Sequence, residues 1–433
     1  MDKPIVAIGR YERSPDSLRR ILDLCEGFRD LTTARHVVIK PNLVGMDGRY
    51  PMPLYGVFTT TRLVHDMVIL LKEHGVEKIS IAEGSVKRRD LGVGTEGIYE
   101  ILGYSLLARQ YGVKLVDLLQ GPFEKVDFGG FHLEISRPLL DAEFLINMPA
   151  LKTHNQAVLS LGFKNLKGGL SLKSRKYCHG ADETLDHHLS LFLEKLHPHL
   201  TVLDGIYGLE KGPFYLGNPI RMNTLAASTD PLAAELVGAH LAGIHPETVP
   251  HIRKYADRHG RSLDLQAVTL KGEPFEDLRR PIKWDNTWRE DNTGPRGWDR
   301  IGIRGVSLPK YDKTLCTGCS AMYGPVLVSI MFAFKGVPFD EVEILTGKAM
   351  TPSGRARKTL LLGNCMIKKN RNSPHISEAV IAKGCPPSME DVFKALAQCG
   401  IPATREHFRM FRESLMERYK GKEEFDDSLY YLQ

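Results

Sequence analysis

The chain predicts an α/β fold, with a large N-terminal domain on a mostly parallel sheet and a smaller α/β domain behind it. Three observations carry that expectation. Short apolar runs alternate with amphipathic stretches through residues 1–270, all three tryptophans fall in a proline-, glycine- and charge-rich segment at 271–310, and the strand–helix rhythm resumes over 311–433. Strands that alternate with helices are joined by crossovers, which lay them parallel and cover both faces of the sheet.

In chain order, "HVVIKPNLVG" (36–45), "KISIAEGS" (78–85) and "AEFLINMPAL" (142–151) are apolar runs of strand length that end in small or polar residues. "TTRLVHDMVILLKEHG" (60–75) has apolar residues at helical spacing and a closing Gly75. "KWDNTWREDNTGPRGWDR" (281–300 region) reads as a connection that packs its aromatics. Beyond it, "AMYGPVLVSIMFAF" predicts a helix opened by Cys316, "VEILTG" and "TLLLGNCM" predict strands, and "SMEDVFKALAQCG" predicts a helix with Ser388 as its N-cap and Asp391 three residues on. "FRMFRESLMERYKGKEEFDD" predicts a charged amphipathic helix and tail that either packs on the other domain or forms a homodimer contact.

With 433 residues and 42% hydrophobic side chains, each domain can bury a core without disulfide staples. The seven cysteines are an odd number, mostly far apart, and the opening "MDKPIVAIGRYERS" lacks the apolar run of a secretory signal, so a cytoplasmic, reducing location is expected. No run approaches a membrane span. A net charge of +6 against 52 acidic residues is too dilute to call for nucleic acid. Basic loops such as "KSRK" (173–176) suit either plain solvated surface or a small anion.

Polar residues recur at expected strand ends, where open parallel sheets gather their ligands. Lys40, Asn42, Glu83, Lys164 and Asn165 are candidate ligand-binding residues, and Lys152 and His154 are candidates for exchanging protons with a bound substrate. Gly168 and Gly169 beside Lys167 would let backbone approach an anion. "YCHGADETLDHHL" (177–189) holds Cys178, His179, Asp182, His187 and His188, but the adjacent histidines would diverge on a helix, which speaks against a second metal site. Neither a GxGxxG nor a P-loop sequence supports nucleotide binding.

Cys316 and Cys319 form a CxxC pair, Cys365 stands in "LLGNCMI" and Cys385 in "KGCPPS". Four thiolates on α/β loops point to an iron–sulfur cluster or to structural zinc, with unrelated buried cysteines as the third reading. Pro386 and Pro387 stiffen the last loop, and a helix N-terminus at the CxxC favours thiolate.

"CTGC", "GNC" and "GCPP", in that order, resemble the proximal-cluster domain of the nickel–iron hydrogenase small subunit and the related cluster-bearing subunit of respiratory complex I. That resemblance implies a flavodoxin-like C-terminal sheet and one [4Fe–4S] cluster held by Cys316, Cys319, Cys365 and Cys385, although the spacings here are shorter. Cys25, Cys178 and Cys399 lie outside it. "VVIKPNLV", "EFLINMPALKTHNQAVLSLGFKNLKGG" and "LDGIYGLEKGPFYLGNPIRMNTLAASTDPLAAELVGAHLAG" resemble the domain-of-unknown-function family 362, whose members commonly carry a ferredoxin-type iron–sulfur module. The hydrogenase-like cysteine arrangement departs from that pattern. Together these readings imply an oxygen-sensitive iron–sulfur oxidoreductase acting on a small anionic molecule. An electron carrier serving a redox partner protein, and a redox-neutral enzyme with a structural zinc, are the alternatives.

Overall fold

The computed structural model describes residues 2–33, 35–86, 92–182 and 184–432. Among the described residues, ten strands form the larger sheet. Eight run in the order Thr269–Gly272, Ile5–Arg10, Asn218–Ser228, Leu200–Glu210, Phe144–Met148, His36–Pro41, Lys78–Glu83 and Lys114–Asp117. Of these, Asn218–Ser228 is antiparallel to both of its neighbours, and every other pairing in the row is parallel. The expectation of a mostly parallel α/β sheet therefore holds.

The five-strand parallel part positions the site. His36–Pro41 and Lys78–Glu83 are buried along almost their full length, as strands covered on both faces must be. Their last residues deliver Lys40 and Glu83 to one edge. After Met148 the chain continues as Ala150–His154, which pairs with Leu200–Glu210 and with the short strand Val158–Ser160. Lys152 and His154 thus sit on a strand that extends the same edge. The helix Thr61–Glu73 forms as its periodicity predicts, and the chain leaves it through Gly75 at φ +77°, a left-handed conformation that glycine adopts without strain.

The second sheet is wholly parallel, with strands Val306–Ser307, Val342–Leu345, Lys358–Leu362 and Glu378–Ala382 lying side by side in chain order. A flavodoxin-like sheet reverses its strand order at a switch point. These four described strands contain no such reversal, because each crossover advances in the same direction. The flavodoxin-like order expected from the hydrogenase resemblance is to that extent corrected, while the α/β class stands.

Helix Thr317–Ala333 begins directly after Cys316, and Ser388 caps helix Met389–Gln398 by accepting from the Asp391 N–H. In the connecting segment Trp298 is fully buried, Trp288 packs edge-on against Tyr311 at 5.9 Å, and Trp284 donates its indole N–H to the His154 carbonyl at 3.0 Å. The expected packing of aromatics is present, and Trp284 ties the connection to the site edge.

The C-terminal segment folds back over the first sheet. In helix Arg405–Glu417, buried Arg412 pairs with Asp47 at 2.7 Å and lies 4.0 Å above the Tyr215 ring. Farther on, Tyr55 donates to Asp427, the Gly56 N–H donates to the Tyr430 hydroxyl, and Tyr207 donates to the Glu424 carbonyl. One continuous apolar core consequently contains residues from Ala7 to Tyr430.

Candidate active site and cysteine centre

At the strand-end edge, polar side chains from five segments form one buried network. The Lys40 ammonium, without exposed surface, lies 3.0 Å from Glu83 and 3.3 Å from the Asn165 amide oxygen. Glu83 also accepts the backbone N–H groups of Leu43 and Gly84 at 2.9 and 2.7 Å. Its oxygens are thereby engaged inside the protein, and Lys40 and Glu83 act as a frame rather than as free ligand contacts. Burial still pushes the Lys40 pKa down, with Glu83 opposing.

Asn165 links this pair to the proposed proton-exchanging lysine. It donates to Asn147 at 2.8 Å and accepts from Asn42 at 3.2 Å, while Asn42 in turn accepts from Lys152 at 2.5 Å. Lys152 also donates to the Val57 carbonyl at 2.6 Å. Burial pushes its pKa down to about 7, Glu83 resists and Lys40 adds to the fall. A lysine near neutrality can both give and take a proton.

Gly168 does not serve the role expected of it. A Cβ there would lie 2.4 Å from the Glu83 carboxylate and 2.7 Å from the Lys40 ammonium, so its bare Cα makes room for the ion pair. Gly169 likewise makes room for Leu139, 2.3 Å from where its Cβ would be. Both glycines fit the frame instead of cradling an anion.

Three further cations complete the edge. Arg175 is buried and donates to the carbonyls of Gly84, Gly168 and Leu170, clamping two loop segments. Lys167 lies 2.6 Å from His179 Nε2. The His179 Nδ1 faces the Lys313 carbonyl at 2.9 Å, and a carbonyl only accepts, so Nδ1 carries the proton and Nε2 accepts from Lys167. Burial pushes Lys167 down to about 8, with Cys178 and Cys316 opposing the fall and Arg175 adding to it. Lys164 lines the same space and makes no hydrogen bond or ion pair among the described residues. Burial, Lys167 and Lys152 push its pKa well down. His154 Nδ1 accepts the Gln156 N–H at 3.1 Å, which leaves the ring proton on Nε2; burial and then Lys164 hold this ring neutral.

These groups border one cavity of about 220 Å³, and its opposite wall comes from the cysteine-bearing half. Thr317, Ser320, Tyr323 and Gly324 of helix Thr317–Ala333 line it, with Trp288 and Tyr311 from the connection. Gln156 fastens the two walls by donating from its amide to the carbonyls of Asp312 and Leu315, immediately before Cys316. Phe214, Tyr215 and Leu216, at the hairpin between strands Leu200–Glu210 and Asn218–Ser228, close another side. The "KTHNQ" and "KGG" runs hinted at the basic wall. Nothing local in the sequence marked the helix face opposite it, since that pairing joins residues more than 150 positions apart.

The four predicted cysteines lie on three loops that come near one another. Cys319 is within electrostatic reach of Cys316, Cys385 and Cys365. A Cβ on Gly363 would lie 3.4 Å from the Cys319 sulfur, and one on Gly318 would lie 3.0 Å from Pro386, so the three cysteine loops touch. Gly363 has φ +89°, a conformation that suits glycine in "GNC". The Cys319 thiol donates to Cys316, and the N–H groups of Cys319 and Gly318 and the Lys348 charge add to this, holding Cys316 below the usual thiol range. Cys319 is raised correspondingly.

All seven cysteines are free thiols. Among the described residues, no three or more His, Cys, Asp or Glu side chains converge closely enough to hold a single metal ion. As a donor set, four thiols with no other ligand type are the kind that an all-thiolate iron–sulfur group uses. In the "YCHGADETLDHHL" segment His179 enters the cavity, Asp186 pairs with Lys313 at 2.6 Å, the His187 ring lies tilted against Phe131 and the His188 ring meets Phe131 edge-on. Cys25, Cys178 and Cys399 are buried.

Comparison with known proteins shows what the first half is similar to. Residues 37–240 match the sequence model described as Domain of unknown function (DUF362). The match supports the DUF362 family for this part of the chain. The DUF362 region contains Lys40, Asn42, Glu83, Lys152, His154, Lys164 and Asn165, and stops short of every cysteine of the centre. Thylakoid-associated protein sll1697 of Synechocystis sp. is 29% identical over 243 residues, covering 54% of this chain and 71% of that protein. Among solved structures, the lactate racemase apoprotein of Thermoanaerobacterium thermosaccharolyticum aligns at 16% identity with a TM-score of 0.37, over 56% of this chain and 58% of that one. No helix among the described residues is long and apolar enough to cross a membrane.

Proposed function

We propose that the protein is an iron–sulfur oxidoreductase, with Cys316, Cys319, Cys365 and Cys385 holding a [4Fe–4S] cluster and the basic cavity holding a small anion. The observation that carries this reading is the shared wall. Thr317 and Ser320, interleaved with Cys316 and Cys319, line the cavity that Lys152, Lys164 and Lys167 also line, and Lys167 feels the Cys316 charge.

When bound, such a cluster supplies or accepts electrons one at a time. The chain's own part is to bind, orient and protonate. Lys164, whose amine has no acceptor among the described residues, takes up a proton and receives the anion's charge. Lys152 gives or takes a proton near neutral pH, and His154 donates through Nε2. The surrounding hairpin and helix cover part of the cavity, and the lower dielectric there strengthens each of these contacts.

The half-exposed side of the centre favours a second element, a redox partner protein. Cys365 and Cys385 are exposed, and Lys368, Lys369, Arg371 and Lys383 lie beside them on one open depression. On this reading the partner presents acidic groups, and the thiols' reactivity points to a reducing, cytoplasmic setting. A homodimer is not required by it.

The test is anaerobic purification with visible absorption, iron, sulfide and zinc assayed on one sample, together with calorimetric binding of acetate and inorganic phosphate. About four irons per chain, a brown chromophore bleached by dithionite and saturable anion binding would support the proposal. One zinc and no chromophore would replace it with a redox-neutral enzyme. A reducible chromophore without anion binding would replace it with a carrier.

A further inference from the structure

The cavity is chemically two-sided, and this narrows what it takes. Its basic side is formed by Lys152, Lys164 and Lys167, while the facing side is formed by Trp288, Tyr311 and Tyr323. The three rings pack on one another, with centroids 5.2 to 6.4 Å apart, and so present a preformed aromatic wall. Two of their three polar ends are already occupied. The Tyr311 hydroxyl bonds Asp285 and the Tyr323 hydroxyl donates to the Pro309 carbonyl at 2.6 Å, so the two tyrosines offer the cavity ring surface rather than hydrogen bonds, while the buried Trp288 indole N–H has no acceptor among the described residues. Val44, Met46 and Leu327 extend the apolar side.

A small hydrophilic anion such as acetate would satisfy the lysines and leave this wall unused. The volume sets the other limit. At about 220 Å³ the cavity lies below the roughly 300–1,000 Å³ of ordinary drug-sized pockets, which leaves no room for a dinucleotide or a flavin. A doubly charged phosphate is also the costlier anion to desolvate beside so much apolar surface.

We infer that the ligand of this cavity is a compact carboxylate on a flat apolar body, an aryl or conjugated carboxylic acid. The carboxylate meets Lys164 and its neighbouring cations, and the ring or conjugated chain stacks on the Trp288 side. This rests on the proposed function and names the substrate class of the same site. It also places the conjugated portion of the ligand beside the turn that bears Cys316 and Cys319, and a conjugated system is the kind of acceptor that accommodates single electrons.

The experiment is calorimetric titration of the anaerobically purified full chain with benzoate, cinnamate, acetate and inorganic phosphate. Benzoate or cinnamate should bind at least tenfold more tightly than acetate and phosphate. Trp288→Leu should reduce that preference to threefold or less while acetate affinity stays within twofold of the parent, and circular dichroism confirms that the variant is folded. Equal affinity for acetate or phosphate and the aryl acids would overturn the inference and leave the anion site standing. Absence of binding by all four would overturn both. Should Trp288→Leu fail to fold, Leu327→Ser serves the same comparison on the apolar side.

Discussion

Cys316 and Cys25 make opposite predictions from similar chemistry. Cys25 is buried, its thiol is pushed up to about 12 by burial, and it donates weakly to the Leu22 carbonyl, which is the behaviour of a small core residue. Cys25→Ala should keep its full iron content, whereas Cys316→Ala or Cys385→Ala should lose most of it, read by iron assay and visible absorption. Lys152 gives a pH prediction. In the free cavity it is charged below about pH 7 and neutral above, so binding an anion must take up a proton once the pH passes that point. Carboxylate affinity should therefore fall as the pH rises above neutrality, by up to about tenfold per pH unit for each lysine that must take up a proton, and Lys152→Met should flatten part of that slope, leaving the parts due to Lys164 and Lys167. The strand-end pattern located Lys40, Glu83, Lys152 and His154, because parallel strands deliver their ends to one edge. It could not tell that Lys40 and Glu83 neutralise each other, since that depends on which strands become neighbours.

Short elements hold the site by buried contacts that propensity does not foretell. The four-residue helix Gly162–Asn165 carries Lys164 and Asn165, and its first turn donates the Phe163 N–H to Glu235 at 2.9 Å, from helix Pro231–Leu241. Burial raises the Glu235 pKa to about 8. A carboxyl that is protonated in the fold but ionised when unfolded costs stability as pH rises: the contribution is intact below about 4.5 and is lost progressively up to about 8. Glu235→Gln keeps the acceptor and removes the titration. Relative to the parent, it should gain on the order of 2–3 kcal/mol at pH 8 and nothing at pH 4.5, measured by denaturant unfolding. Gly168→Ala tests the frame from the other side. A methyl forced between Glu83 and Lys40 should cost ~2 kcal/mol in the same assay and weaken anion binding. In the sequence, that glycine pair read as an anion cradle. Its neighbours Glu83 and Lys40 come from 80 or more residues upstream, and only the assembled edge reveals why no side chain fits there.

At the scale of the molecule, two sheets share one cavity and one core. Gln156 and Trp284 join the halves beside the site, and Arg412 joins them behind another wall of the same cavity, where its guanidinium is buried between Asp47 and the Tyr215 ring. Removing one partner from a buried pair leaves the other's charge poorly compensated, so Arg412→Ala should cost about 3–5 kcal/mol and lower the thermal midpoint of both halves together. The α/β class, the tryptophan-rich connection and the tail's amphipathic helix were legible in the pattern of apolar residues. The linear order of the second sheet and the joint cavity were not, because crossover direction and domain docking leave no periodic trace. The tail has one further consequence. Residues 424–432 follow the cysteine loops along the chain, yet they bury Tyr55 and Gly56 against the first sheet. During synthesis, therefore, all four cysteines leave the ribosome before the first half can finish its own surface.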